Sequence, residues 1–329
     1  MAQGQAPFEY DPAATAVAIE YMNAQDDYIA DQVLPHIGVD KEVYKYQETP
    51  VDQRFRQPET RVGRRGSPNQ VEFRSRETTG STQDHALDNP IPNKDAAQDM
   101  DQAVPVEERG IEGTTELLLN GKEVDTADVV FDAATYPSGN KETLSGTDRW
   151  SDGANSTPLE DMKLAMDQMV MEPNTLVLGK KTATYLQLHP KLSKAYNRNE
   201  GAENVVPLAF LGDLLGFDQI LVGKARVQTA QNQANAFGGT VPGRAWGPDA
   251  AMLHLNTNAD PTGDGNGLKT FGFTAIFSGD RDEDMFSGSI QDPDMGAYGG
   301  IRQRVGMSRN EEVSASQLGY FFENAGDDS

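Results

Sequence analysis

The stretch YQETPVDQRFRQPETRVGRRGSPNQVEFRSRETTGSTQ, residues 46–83, decides how the rest of the chain is read. It carries seven arginines, Arg54, Arg56, Arg61, Arg64, Arg65, Arg74 and Arg76, against five acids, Glu48, Asp52, Glu59, Glu72 and Glu77. It contains no lysine; Lys45 and Lys94 flank it. Its apolar residues, Val51, Phe55, Val62, Val71 and Phe73, are too sparse to close a core. Val71, Phe73 and Ser75 alternate as in a strand, and VGRRGSPN (62–69) has the glycine, proline and asparagine of a turn. The reading is a long two-stranded hairpin reaching out from the body. An isolated hairpin is marginal in water, so this one must rest on something. Composition alone also allows a solvated surface loop. The sharper reading is an arm that docks on an acidic partner surface, because a guanidinium fork binds carboxylates bidentately.

Outside this window the chain is acidic. The whole carries a formal charge of −23; the window's balance is +2, so the remainder holds −25. Such a surface repels phosphate, which disfavours a general nucleic-acid binder. With 329 residues, 37% of them hydrophobic, the chain has enough apolar matter for a modest core. Its 32 glycines and 18 prolines indicate many turns rather than a helical bundle. The absence of cysteine excludes disulfides and thiolate metal sites. No apolar run is long enough to span a membrane. MAQGQAPFEYDP has no basic-then-apolar pattern, so no secretory signal is expected.

Before the hairpin, Val17, Tyr21, Ala24 and Tyr28 fall at helical spacing, and Pro35 and Gly38 end that segment. After it, NPIPNKDAAQDMDQ (89–102) reads as a turn-rich connector. A long helix is expected over 105–134, with Leu117, Val124, Ala127, Phe131 and Ala134 on one face, Asn120 as the polar exception, and Leu118 and Val130 widening the stripe. It would span roughly 45 Å. Gly110, Gly113 and Gly121 weaken it, and two shorter helices broken at Gly121 are the alternative. Thr157-Pro158-Leu159-Glu160 is a capping box, opening a helix whose apolar face is Leu159, Met162, Met166, Met169 and Val170. The methionines are core filler. Thr175–Leu178 is a buried strand, with a helix following through Tyr185 and Leu188. LGFDQILVGKARVQTA (215–230) reads as a strand pair turning at Gly223, AMLHL (251–255) and KTFGFTAIF (269–277) as strands, and 301–307 with 313–322 as a final strand pair.

No catalytic pattern survives inspection. His36, His85, His189 and His254 include no pair at helical metal spacing. DPTGDGNGLKTF (260–271) fails as a calcium loop because Thr262 and Phe273 stand where Asp and Glu are required, and DRDED (280–284) lacks the glycine and terminal glutamate. There is no phosphate loop ending in Lys-Ser or Lys-Thr and no G-x-S-x-G elbow. No catalytic, metal or cofactor residue is assigned, which favours a structural or binding role over an enzyme.

The order of parts resembles the major capsid protein of tailed double-stranded DNA bacteriophages, of Hong Kong 97-type fold. IADQVLPHIGVDKEVYKY (29–46) is similar to that family's entry into the extended loop, and ETLSGTDRWSDGANSTPLEDMKLAM (142–166) to its passage after the spine helix. NTLVLGKKTATYLQLHPKLSKAYN (174–197) and FDQILVGKARVQTA (217–230) resemble its axial core; FGFTAIFSGD (271–280) and GGIRQRVGMSRNEEV (299–313) resemble its later strands. The resemblance implies an α+β fold with an N-terminal arm (1–40), an extended loop (41–98), a peripheral domain with a spine helix (99–154, helix 105–134), an axial domain (155–298) and returning peripheral strands (299–329). It implies a non-enzymatic subunit that assembles with copies of itself, as hexamers and pentamers, into an icosahedral head in the host cytoplasm. The seven loop arginines would lie at subunit contacts. A portal, a separate scaffolding protein and a cement protein are the implied partners, with packaged DNA touched only non-specifically and no membrane. Some relatives join subunits through a loop lysine and an asparagine; a loop with arginine and no lysine between 46 and 93 predicts no such crosslink, since arginine stays protonated. A nanocompartment shell enclosing cargo enzymes shares the fold and is the alternative.

Overall fold

The computed structural model describes residues 9–10, 27–48, 52–74, 76–98, 106–197, 205–227, 243–256, 270–279 and 284–327. In chain order the elements are β1 (Glu9–Tyr10), α1 (Ala30–Val33), β2 (His36–Gly38), β3 (Val43–Glu48), α2 (Asp52–Phe55), β4 (Arg76–Ser81), β5 (Gln83–Pro92), α3 (Asn93–Gln98) and the long helix α4 (Val106–Val130). They continue with β6 (Lys141–Thr143), α5 (Pro158–Gln168), β7 (Thr175–Gly179), α6 (Lys180–Leu188), α7 (Pro190–Asn197), α8 (Leu208–Leu215), β8 (Gln219–Gly223), β9 (Arg226–Val227), β10 (Gly243–Arg244) and β11 (Ala250–Leu253). Last come β12 (Gly272–Ile276), β13 (Met285–Asp292), β14 (Gly300–Val313) and β15 (Gly319–Glu323). The helical spacing read over 17–28 falls almost wholly outside the described residues, as do most of both acidic turns (260–271 and 280–284).

Two sheets organise the body. One runs β1-β13-β14-β12-β2, with β5 also paired to β14; the other runs β6-β15-β11-β7-β8. In the second sheet β7 and β11 are buried at every position, as expected of short apolar runs covered on both faces. The long helix spans both sheets. Ile111 and Leu118 pack with Met285, Val305 and Met307 of the first. Ala127 and Val130 join Val177, Leu221, Ala251 and Phe321 of the second. Beyond the helix, Tyr136 stacks between Phe271 and Phe321, ring centroids 5.4 and 5.3 Å apart, and so ties the approach to β12 to β15.

The long helix is continuous through Gly121, so the two-helix alternative does not hold. Its buried face differs from the stripe expected. Leu117 is 62% exposed, while Lys122 and Glu123 are buried beside Thr115, Leu119 and Thr126. Apolar counting missed this because the face is partly lined by charge satisfied from distant residues.

Other readings are corrected. The connector at 89–102 begins inside a strand: β5 reaches Pro92 with Pro90 opposite Arg302, and β14 is its neighbour in the sheet, so each proline's missing N–H faces outward. The 215–230 stretch is not a strand pair. β8 runs parallel to β7 and β9 pairs with β10. Gly223 is needed for close approach, since a Cβ there would lie 2.1 Å from the Trp246 ring. β14 and β15 do not pair with each other; β14 pairs with β12 and β13 in succession along one edge and with β5 along the other, and β15 lies between β6 and β11. At the start of α5 the capping box does not form. Thr157 donates from its hydroxyl to Asp161 Oδ1 at 3.1 Å instead of capping the backbone. Sheet membership also crosses the expected division at 298, since β12 and β13 share a sheet with β5 and β14.

Candidate assembly surface

The hairpin expected from 46–83 is present with a different construction. Its ladder is the stem, β3 against β4, from Val43 opposite Ser81 to Glu48 opposite Arg76. Alternation along β3 sends Tyr44 and Tyr46 inward, where they meet Phe273 at ring centroid distances of 6.4 and 5.7 Å. Tyr46 donates to Glu312 Oε1 at 2.8 Å, and Asn310 donates to the Tyr44 hydroxyl at 3.0 Å. Lys45, between them, points out and pairs with Glu77 at 2.5 Å. The stem is thus bolted to the first sheet by two aromatic residues.

Past the stem, the described residues form no ladder. The legs are joined by side chains. Buried Gln53 donates to the Arg74 carbonyl at 2.6 Å and accepts from the Arg74 amide at 2.7 Å. Asn69 donates to the Glu59 carbonyl at 2.8 Å. The turn falls where expected: Gly66 N–H donates to the Gly63 carbonyl at 2.9 Å, with Arg64 and Arg65 at the tip. Of the strand read at 71–75, the described residues 71–74 take part in no ladder.

Every residue from 55 to 74 is exposed. This includes Phe55 (67%) and Phe73 (68%). Phe73, Val71 and Pro58 line a shallow hollow between the legs, with Gln53 and Arg56 at its rim. Of the seven arginines singled out, Arg56, Arg61, Arg64, Arg65, Arg74 and Arg76 are exposed, and the Arg54 side chain lies outside the described residues. Arg74 pairs with Glu72 at 3.1 Å, both side chains more than four-fifths exposed. Among the described residues, Arg61, Arg64 and Arg65 form no ion pair. The arginines are strung along the loop rather than gathered into one patch.

Beside the root of this loop, charged side chains gather around the buried Lys122 and Glu123. Glu123 accepts from the Ile29 amide (3.0 Å), the Ala30 amide (2.9 Å) and the Trp246 indole (2.6 Å), so one carboxylate caps α1 and pins Trp246. Burial raises its pKa, partly offset by these donors. Lys122, the adjacent residue, contacts both Asp31 Oδ1 and His36 Nε2. His36 also reaches Asp31 Oδ1 at 2.7 Å and Asp284 Oδ2 at 3.1 Å. Burial opposes the charged imidazole, but the bonds to Asp284 and Asp31 outweigh it and raise the His36 pKa. Asp31 is pushed up by burial and pulled down further by His36 and Lys122, ending well below the carboxylate range. On β14, buried Arg309 pairs with Asp125 at 2.5 Å, and Arg304 grips Asp88 of β5 bidentately at 2.6 and 2.8 Å. None of these partners was visible in the sequence, because each pair spans 86 residues or more, apart from the local His36–Asp31 contact. Among the described residues no group of three or more His, Cys, Asp or Glu could hold a metal, and no helix is long and apolar enough to cross a membrane.

A chain with a buttressed, fully exposed arm is matched by known proteins. The family model for phage major capsid protein E matches residues 116–241. The major capsid protein of Pseudomonas phage JBD67 is 46% identical over 322 residues, covering 97% of this chain and 98% of that protein. The chain belongs to the phage major capsid protein family. As a capsid protein it is a structural component of the virion rather than an enzyme. Solved structures share the mixed helix-and-sheet fold of this capsid protein. A phage-related protein of Bordetella bronchiseptica RB50 matches with a TM-score of 0.69 at 24% identity, over 98% of this chain and 99% of that one. The capsid of cyanophage P-SCSP1u matches with a TM-score of 0.57 at 11% identity, over 90% and 88%.

Proposed function

We propose that this capsid protein is the repeating tile of an icosahedral, tailed-phage head of Hong Kong 97-type architecture, and that its extended loop lies across adjoining copies. In that architecture residues 1–40 are the N-terminal arm, 41–98 the extended loop, 99–154 and 299–329 the peripheral domain with α4 as its spine, and 155–298 the axial domain, whose β12 and β13 contribute to the peripheral sheet. Hexamers and pentamers of the tile close the shell; scaffolding, portal and cement proteins are its further partners.

The observation that carries the contact is the exposure of residues 55–74, phenylalanines included, above an anchored stem. Apolar side chains held out on a braced arm require a surface to cover them. The chain's own composition supplies one of suitable charge, −25 outside the arm against +2 within 46–83. The loop arginines then pair with carboxylates of the neighbour while Phe55 and Phe73 bury apolar area. Electron microscopy of the purified chain tests this: closed shells are expected, and shells should fail to form when residues 56–74 are replaced by a short glycine-serine turn although the subunit remains folded. Shells formed unchanged by that variant would refute the contact.

A further inference from the structure

Lys122, His36, Asp31 and Asp284 meet between α1 and the start of the extended loop. Asp31 lies in α1, on the N-terminal segment; His36 opens β2, and the loop's first strand begins at Val43. Lys122 comes from the long helix, and Asp284 immediately precedes β13. We infer that His36 is a proton-operated clasp at the common root of the N-terminal segment and the extended loop, closed when the imidazole is charged and slackened when it is neutral.

The geometry leaves His36 two arrangements one proton apart. Charged, both ring nitrogens donate, Nδ1 to Asp284 and Nε2 to Asp31, while Lys122, whose own charge opposes the imidazolium, gives up its contact with Nε2 and donates to Asp31 alone. Neutral, with Nδ1–H kept on Asp284, Nε2 carries only a lone pair. It then accepts from Lys122 and no longer donates to Asp31. The clasp loses a charge-assisted bond to α1, whose first amides rest on Glu123. Asp31, Lys122 and Asp284 are the charged groups that face the ring among the described residues, and Glu123 stands next to Lys122 on the helix. The ring is three-quarters covered, so the surrounding water does not screen these contacts fully.

The direction of the pH effect follows from the raised His36 pKa. The stabilisation is complete below the unfolded histidine value of about 6.5 and is lost as pH rises through the higher folded value. Asp31 and Asp284, both held below their usual values, stay ionised across that window. The clasp is therefore tight in mild acid and slack in mild alkali. Its relevance to shell assembly rests on the loop contact proposed above; the clasp itself does not.

Amide hydrogen exchange of the wild-type chain, unassembled and as shells, tests it. After correction for intrinsic rates, a peptide spanning 27–38 should lose protection between mildly acidic and mildly alkaline pH, about tenfold for each unit by which the His36 pKa is raised. The all-buried strand 175–179 serves as reference and should not follow. His36→Gln should flatten the response. Unchanged pH dependence in that variant, or wild-type protection in 27–38 that tracks 175–179, would overturn the clasp. Should the variant not fold, acylation of His36 by diethyl pyrocarbonate in the wild type decides. A midpoint above that of a histidine peptide supports the clasp, and one at or below it refutes it. Because the unassembled subunit is measured too, failure of the shell reading leaves the clasp test intact.

Discussion

Strand β7 and the loop at 55–74 place their side chains in opposite ways. Every residue of β7 is buried, and both its edges are hydrogen-bonded, to β11 and β8. Every residue of the loop is exposed, and its legs are held by a few side-chain bonds such as those of Gln53. The contrast separates two tasks. Side chains in the body determine whether the subunit folds. Side chains in the loop are nearly free of that duty and remain available to bind another copy.

The largest effect should follow from disturbing the body. A Cβ on Gly179, at the end of β7, would sit 1.7 Å from the Gly247 carbonyl oxygen. Gly179→Ala should destabilise the subunit by about 3 kcal/mol or more through forced backbone shifts, read as a lowered Tm and loss of soluble protein. Retention of wild-type Tm would mean that body and loop are not as different in rigidity as they look.

Removing both loop phenylalanines should be next in size and should spare the fold. Burying a phenylalanine contributes about 1.5–3 kcal/mol. Phe55→Ala with Phe73→Ala should therefore leave the Tm of the isolated subunit nearly unchanged while lowering the temperature at which shells come apart. A drop in subunit Tm of the same size would break the comparison, because it would place the phenylalanines in the subunit's own core.

Charge reversal at the tip sharpens the same contrast. Arg64→Glu with Arg65→Glu should weaken assembly by about 0–1 kcal/mol for each lost pair, and the deficit should shrink as salt is raised. Assembly and heat resistance unchanged at low salt would remove the arginines from the contact and leave the apolar side chains to carry it.

What could be read in the sequence divides along the same line. The turn at 62–69, the strand at 175–178 and the long helix were legible because each follows from local composition and period. The helix runs over 106–130 within the expected 105–134. Its buried face was not legible. Lys122 and Glu123 are tolerated inside only because Asp31, His36, the Ile29 and Ala30 amides and Trp246 come to meet them from far along the chain. Strand partners were missed for a related reason. Gly223 reads as a turn, whereas it lets the Trp246 ring lie against β8, a demand set by another segment. In the loop, arginine composition drew the eye to charge. The structure adds that Phe55 and Phe73 stand as exposed as the arginines, and by magnitude they have more to contribute.

The most direct measurement is a near-atomic cryo-EM map of the assembled shell. The expected map has residues 55–74 lying on an adjoining copy, with Phe55 and Phe73 covered and loop arginines within reach of its carboxylates. A map in which that segment folds back onto its own subunit, or stands in solvent touching no neighbour, would contradict the claim that this arm joins one tile to the next.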